Sequence, residues 1–368
     1  MSVHKNQQTG KWFVRFRTPD GKNRQKTFTQ KKDAERFDRI QRIEIERGNW
    51  TNPQDSKITV TELFDLYSST KLGLKPKSIE SNLSLWRRHI EPRFGRSTIG
   101  SINVRDVHKW MKDATVGDSA YTTSGRIEKA LKLLASMLDY AVDSGYLPKN
   151  ALRKSNGRVN NIYLPKTDRT RVMVALTPEE LMSLAPQCGP YETLVLIAGL
   201  CGLRWAEAIG LQAQDVIKQG TSIVVSRTLS EVSGKFYEST TKNEQTRVVH
   251  VPHLLQEKLK LAIVGKAADE LIFTNKVGKP LSISNFKHRI FEPAIKSSGI
   301  PRITFHDLRH TAASCAISMG ANILVVSKML GHSDPSVTLN YYGHMYQEDQ
   351  VKLAHDIDAR YSALSLTQ

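Results

Sequence analysis

The sequence predicts a mainly α-helical protein with small antiparallel β-sheets. Apolar residues recur at helical spacing through most of residues 58–152 and again in the C-terminal third. Two short stretches, residues 11–29 and 221–251, instead alternate polar and apolar side chains around turn-forming residues. The length of 368 residues allows two or three domains with real cores. Polar segments at Asn49–Lys57 and Arg153–Arg171 divide the chain into units of about 1–55, 58–165 and 172–368.

The first unit reads as a small sheet with a helix. Lys11–Arg17 is a strand in which aromatic and basic residues interleave, Pro19-Asp20-Gly21-Lys22 is a turn, and Asn23–Thr29 returns as a second strand. Thr29 can cap a helix over about 30–47 that ends at Gly48, with Phe37, Ile40 and Ile43 or Glu44 forming its apolar stripe. Two readings compete here. The aromatics are simply a core, or one strand face presents Arg15, Arg17, Arg24 and Lys26 to a nucleic acid.

The second unit is helical. Thr59 or Thr61 precedes Leu63, Phe64, Leu66 and Tyr67, and Ser78 caps a run through Leu83, Trp86 and Ile90. Val104–Lys112 carries Trp110. Thr122–Ser144 places Ile127, Leu131, Leu134, Leu138 and Ala141 on one face and is stopped by Gly145-Tyr146-Leu147-Pro148. Lys75, Lys77, Arg87, Arg88, Arg126, Lys129 and Lys132 decorate these helices. About half of them belong to a solvated face, and Lys75, Arg87 and Arg126 are candidates for phosphate contact.

The third unit opens with Thr177 as N-cap, Pro178 in the first turn, and Glu179 and Glu180 at the positive helix end. Helices run to about Leu211. Thr221–Leu229 is a strand, Ser233-Gly234 turns it, Lys235–Thr241 returns, and Thr246–Val251 follows a polar turn at Lys242-Asn243-Glu244. The remainder is helical.

Charge narrows the class of partner. The 53 Lys+Arg against 36 Asp+Glu give +17, which suits a polyanion. Cys188, Cys201 and Cys315 are too few and scattered for a disulfide framework or zinc site, and read as buried thiols in a reducing compartment. The N-terminus is polar and lacks a secretion signal, and the longest apolar stretch, Leu194–Leu203, is too short to span a bilayer.

The chemistry gathers near the C-terminus. The run Thr304–Thr311 supplies His306, Arg309 and His310, Leu330-Gly331-His332 follows, and then Tyr341-Tyr342-Gly343-His344. Tyrosine can attack a phosphodiester, arginine grips phosphate oxygens, and histidine moves a proton or donates to phosphate near neutral pH. Upstream, Arg204 stands at a helix start with Glu207 three residues on, which taken alone is a surface ion pair.

Taken together, Arg204, the Lys242 turn, His306-x-x-Arg309, His332 and a tyrosine close behind resemble the tyrosine recombinase/integrase family. The likeness runs from about Leu176 to Tyr346. The helical unit resembles that family's core-site DNA-binding domain, and the front unit its phage-type arm-site domain, a three-stranded sheet plus helix. The resemblance implies an α+β catalytic domain that, with the helical unit, clamps double-stranded DNA in a C shape. It implies cutting and rejoining through a 3′-phosphotyrosyl ester, to integrate or excise a phage or mobile element. Arg204 and Arg309 would bind the nonbridging oxygens, and Lys242 would protonate the leaving 5′ oxygen, with Lys235 and Lys218 as ordinary surface charges. His306 would take part in proton transfer, His332 would donate to the phosphate, and Glu207 would support an arginine or histidine.

The resemblance offers two nucleophiles: most of that family place it nine residues after the second histidine, which implies Tyr341, whereas the Tyr-Gly-His ending of a subgroup implies Tyr342, the preferred choice. Tyr341 would then pack, and His310 and His344 would have structural or supporting roles. No metal or other cofactor is expected, since transesterification conserves bond energy and the chain has no GxxxxGK[ST] loop or carboxylate cluster. Core-type and arm-type attachment sites, a homotetramer on DNA, a host DNA-bending protein, an excisionase and a nucleoid-associated place in a bacterial cytoplasm complete the expectation. Gln347–Gln368 would pack on its own domain or dock on a neighbouring protomer. The rivals are a type IB topoisomerase-like enzyme, a Xer-like resolving recombinase and a catalytically silent DNA-binding regulator.

Overall fold

The computed structural model describes residues 2–19, 21–46, 52, 54–71, 73–116, 122–154, 174–240, 246–346, 354, 355 and 357–362. The chain forms two compact units, Met1–Arg169 and Thr170–Gln368. The first unit contains two separate hydrophobic clusters, one under a sheet and one within a helical bundle. No helix among the described residues is long and apolar enough to cross a membrane.

The sheet has antiparallel order β1 (Ser2–Lys5), β2 (Trp12–Arg17), β3 (Asn23–Phe28). β1 was not located from residues alone, because four residues carry too little alternation and their partner strand decides their state. The register corrects the expected basic face. Phe13, Arg15 and Arg17 lie opposite Thr27, Gln25 and Asn23, whereas Arg24 and Lys26 lie opposite Phe16 and Val14, whose side chains are buried. Because side chains alternate along a strand, Arg24 and Lys26 belong to the other side from Arg15 and Arg17. Lys26 uses its stem as cover, its ammonium 4.6 Å from the Phe37 ring.

Helix α1 (Lys31–Glu46) turns Ala34, Phe37 and Ile45 to that sheet. It begins two residues beyond Thr29, and its expected end at Gly48 lies outside the described residues. The expected stripe is also corrected: Ile40 and Ile43 are 46% and 38% exposed. Both stripes fit a 3.6-residue period, and the sheet selects the one rotated toward Ala34, where the backbones can approach.

In the bundle, α2 (Val60–Thr70) starts with a capping box between Thr59 and Glu62. Helix α3 (Pro76–Leu85) starts at Pro76, not after Ser78, since a proline's missing N–H costs nothing in a first turn. The chain then widens over Trp86–Ile90 before α4 (Glu91–Phe94). Pro92 cannot donate to the carbonyl four residues back, and Glu91 N–H instead bonds the carbonyl of Trp86, five residues back. α5 (Val104–Thr115) is capped by Asn103, and α6 (Ser124–Asp143) supplies Ile127, Leu134 and Leu138 to the core. Phe64 stacks on Trp86 at 4.3 Å and Phe94 meets Trp110 edge-on at 5.2 Å.

The second unit begins with α7 (Pro178–Gln187), capped by Thr177 and Glu180, and α8 (Glu192–Cys201), buried on nearly all sides. α9 (Trp205–Ala208) follows. A small sheet has the order β4 (Val216–Ile217), β5 (Ser222–Val225), β8 (Arg247–His250), and β6 (Arg227–Val232) pairs only with β7 (Lys235–Thr240). Ser233 and Gly234 both have positive φ, as a tight hairpin requires. The single strand expected over Thr221–Leu229 is therefore split at Ser226 between two sheets. Arg227, just past the break, is held by the buried Asp215. α10 (His253–Ile263), α11 (Ile283–Phe286) and α12 (Glu292–Ser298) lead to α13 (Phe305–Ser318), α14 (Ile323–Leu330) and α15 (Pro335–Tyr342). Before Pro293 the helix widens over Lys287–Phe291, as it does before Pro92. Cys188 and Cys201 are buried, and burial pushes both thiols up to about 12, but Cys315 is only half-buried, contrary to expectation.

The corrected face of α1 has a measurable consequence. Phe37→Ala should destabilise the sheet by roughly 2–3 kcal/mol and Ile40→Ala by about 0.5 kcal/mol or less. Amide hydrogen exchange in β2 reads the difference, and equal losses at both positions would contradict this packing.

Candidate active site

Two helix C-termini and one buried carboxylate organise the site. Helix α8 ends at Gly202, whose φ of +71° suits the left-handed cap. Its carbonyl accepts from Arg309 Nη1 at 2.7 Å. Helix α14 ends in the same way at Gly331, φ +68°. Its last carbonyls are satisfied by guanidinium groups: Met329 by Arg247 Nε at 3.0 Å, Leu330 and Gly331 by Arg204 at 3.4 Å each. Gly331 is required on packing grounds too, because a Cβ there would lie 2.8 Å from Arg247 Nη1.

Glu207 lies between the two arginines and is 2% exposed. It accepts from the Arg204 backbone N–H at 2.9 Å and from Arg204 Nη1 at 2.8 Å. Arg247 donates to its two oxygens at 3.1 and 2.8 Å. Burial alone would raise its pKa, but the Arg247 hydrogen bonds and the charges of Arg247 and Arg204 outweigh it and hold the carboxyl at about 2. The surface ion pair that sequence alone suggested is thus a buried cluster with a third member. Arg247 was missed, since nothing distinguishes it in sequence from an ordinary strand charge.

On α13, His306 and Arg309 face the same cleft. Arg309 is 3% exposed, and its Nη2 is buried without a hydrogen-bond partner among the described residues. Burial, then the charge of Arg204, pushes it down to about 9, which leaves it protonated at neutral pH. Three guanidinium groups against one carboxylate leave a site short of negative charge. His332 responds to this field: burial, then Arg309, Arg204, Arg247 and His306, push it down to about 4. Its Nδ1 lies 2.8 Å from Thr338 Oγ1.

A cleft of about 570 Å³ is lined by Arg204, His306, Arg309, His332 and both tyrosines. Tyr342 is 3% exposed and Tyr341 50%, so Tyr341 is not the packing residue expected. Burial pushes the Tyr342 phenol up to about 12, with Arg309 opposing. Its hydroxyl lies 2.5 Å from His310 Nδ1, and the His310 ring sits 5.0 Å from that of His306. Sequence reasoning gave His310 only a supporting role. Lys242 lies outside the described residues, and so does the side chain of His344. The expected DNA-contact residues Lys75, Arg87 and Arg126 are all exposed on the helical bundle. Arg126 and Arg88 lie near enough to the buried His89 to reinforce the downward pull of burial on its pKa.

Because the folded chain holds Glu207 at about 2, below the ordinary 4.5, this carboxylate stabilises the fold above about pH 4.5. That contribution, on the order of 3 kcal/mol, is lost as pH falls toward 2. Denaturant unfolding between pH 2 and 6 should show this slope in the wild type. Glu207→Gln should flatten it and lower stability at neutral pH.

Known proteins share this fold. Residues 173–349 match the phage integrase family, and residues 59–114 match the phage integrase N-terminal SAM-like domain. A putative prophage phiRv2 integrase of Mycobacterium tuberculosis is 26% identical over 90% of this chain and 88% of its own. The Tn1549 transposon integrase in complex with transposon right-end DNA superposes with a TM-score of 0.67 at 20% identity, covering 81% of this chain and all of that one. A lambda integrase tetramer bound to a Holliday junction gives 0.57 at 16% identity, over 90% of this chain and 96% of that one. With residues 173–349 and 59–114 both matched by phage integrase models and the phiRv2 integrase aligned over 90% of it, the chain belongs to the phage integrase family and is a DNA strand-transferring tyrosine recombinase.

Proposed function

We propose that Tyr342 is the nucleophile that cuts DNA, and that the chain integrates or excises a phage or mobile element at specific sites. The observation that carries the assignment is the buried Nη2 of Arg309, without a partner among the described residues, in the cleft that Tyr342 also lines. A buried donor without a partner is costly, and an anionic phosphate oxygen would satisfy it. Arg204 and Arg309 hold the nonbridging oxygens and stabilise the five-coordinate transition state. Glu207 and Arg247 keep Arg204 in place without touching the substrate. The Tyr342 oxygen bonds to phosphorus as the bond to the 5′ oxygen breaks, and Lys242 supplies the proton that the leaving oxygen needs. His306 takes part in removing the phenolic proton, and His332 donates to the scissile phosphate. Return attack by a 5′ hydroxyl restores the phosphodiester and frees the tyrosine, so the energy of the broken bond is retained.

The three-part division at 1–55, 58–165 and 172–368 assigns each segment a task. The helical unit contacts core-type sites through Lys75, Arg87 and Arg126. The front sheet contacts arm-type sites through the face bearing Arg15 and Arg17, with Arg24 and Lys26 contributing charge from its other side. A homotetramer on DNA, assisted by a host bending protein and an excisionase, completes the reaction in the bacterial cytoplasm, at the nucleoid. Support for the tetramer comes from lambda integrase, which forms one on a Holliday junction.

A duplex of the element's core site, nicked beside the cleavage point, tests the nucleophile. Wild type and Tyr341→Phe should form a denaturation-resistant protein–DNA adduct, and Tyr342→Phe none. Adduct lost only in Tyr341→Phe would overturn the assignment. Arg309→Ala should slow adduct formation by about 10²–10³-fold. Binding should fall steeply as salt rises, and neutralising Arg126 should weaken it and flatten the salt slope by about one unit. Strand exchange between paired sites separates a recombinase from a topoisomerase, which would relax supercoils without it.

A further inference from the structure

The contact between His332 and Thr338 decides more than packing. At neutral pH an imidazole held at about 4 is uncharged and carries a single N–H. A phosphate oxygen accepts hydrogen bonds and cannot donate, so the cleft-facing nitrogen of His332 is useful only if it bears that proton. Nδ1 is turned to Thr338 Oγ1, 2.8 Å away, which leaves Nε2 as the nitrogen for the cleft. Thr338 is fully buried, and among the described residues its side chain has no other hydrogen-bond partner. Its hydroxyl is therefore available to donate into the Nδ1 lone pair, placing the ring proton on Nε2.

Thr338 also lies four residues before Tyr342 in α15, on the same helical face, and both are buried. One short helix thus carries the phenol and the group that orients His332. We infer that Thr338 is a positioning residue that sets the Nε2–H tautomer of His332, so that seating α15 delivers the nucleophile and the phosphate donor together. This rests on the reading of His332 as a phosphate donor.

Four full-length proteins test it: wild type, Thr338→Val, Thr338→Ser and His332→Ala. Valine keeps the shape of threonine and removes the hydroxyl. On the nicked core-site duplex, Thr338→Val should form adduct about 10–100-fold more slowly than wild type, and Thr338→Ser should stay within about threefold. Proteins labelled with ¹⁵N-histidine give a second readout. The His332 signal, identified by its loss in His332→Ala, should report Nε2–H in wild type and Thr338→Ser and shift in Thr338→Val. A Thr338→Val rate within about threefold of wild type while His332→Ala is slow would overturn the tautomer role alone. An Nδ1–H tautomer in wild type would do the same. An unimpaired His332→Ala would instead remove the reading of His332 itself, and this inference with it.

Discussion

A single carboxylate makes the cleft buildable. Without Glu207, Arg204 and Arg247 would lie near one another and Arg309 with no carboxylate paired to either among the described residues. With it, the turn after α8 and strand β8 are joined through one side chain, and the two arginines it holds reach the end of α14. The arrangement constrains the backbone as much as the charges. Gly202 and Gly331 take left-handed conformations, and both are approached so closely that a Cβ would lie 2.7 Å from Leu330 at the first and 2.8 Å from Arg247 at the second.

Burial, in one case aided and in the other opposed by the charge excess, keeps His332 and Tyr342 neutral at neutral pH. Burial and then the positive field discourage a second proton on His332, and burial discourages ionisation of Tyr342 more strongly than Arg309 encourages it. The phenol keeps its proton and rests against His310, and the imidazole keeps one N–H. The free site holds positive charge on guanidinium groups, which do not switch, while Tyr342 and His332 wait uncharged.

The residues that line the cleft were legible in the sequence. Arg204, His306, Arg309, His332 and Tyr342 are far apart in the chain yet line one cleft, and the caps at Thr59 and Thr177 follow from local hydrogen bonding. What failed to show depends on partners distant in sequence. The faces of Arg24 and Lys26 were set by register, and the burial of α1 by a sheet that selects one of two acceptable stripes. The split at Ser226 reflects two different neighbours for one continuous β-prone run. Arg247 and Thr338 contact other side chains of the cleft, and a spacing pattern carries no record of that.

The Nη2 of Arg309, without a partner among the described residues, bears on the thermodynamics of the free chain. A cavity preset for an anion is under self-repulsion while empty, and an anion that enters it relieves the strain in proportion to its occupancy. The folded state of this unit is therefore linked to its ligand: the chain should resist heat and denaturant best when phosphate-bearing polymer fills the cleft.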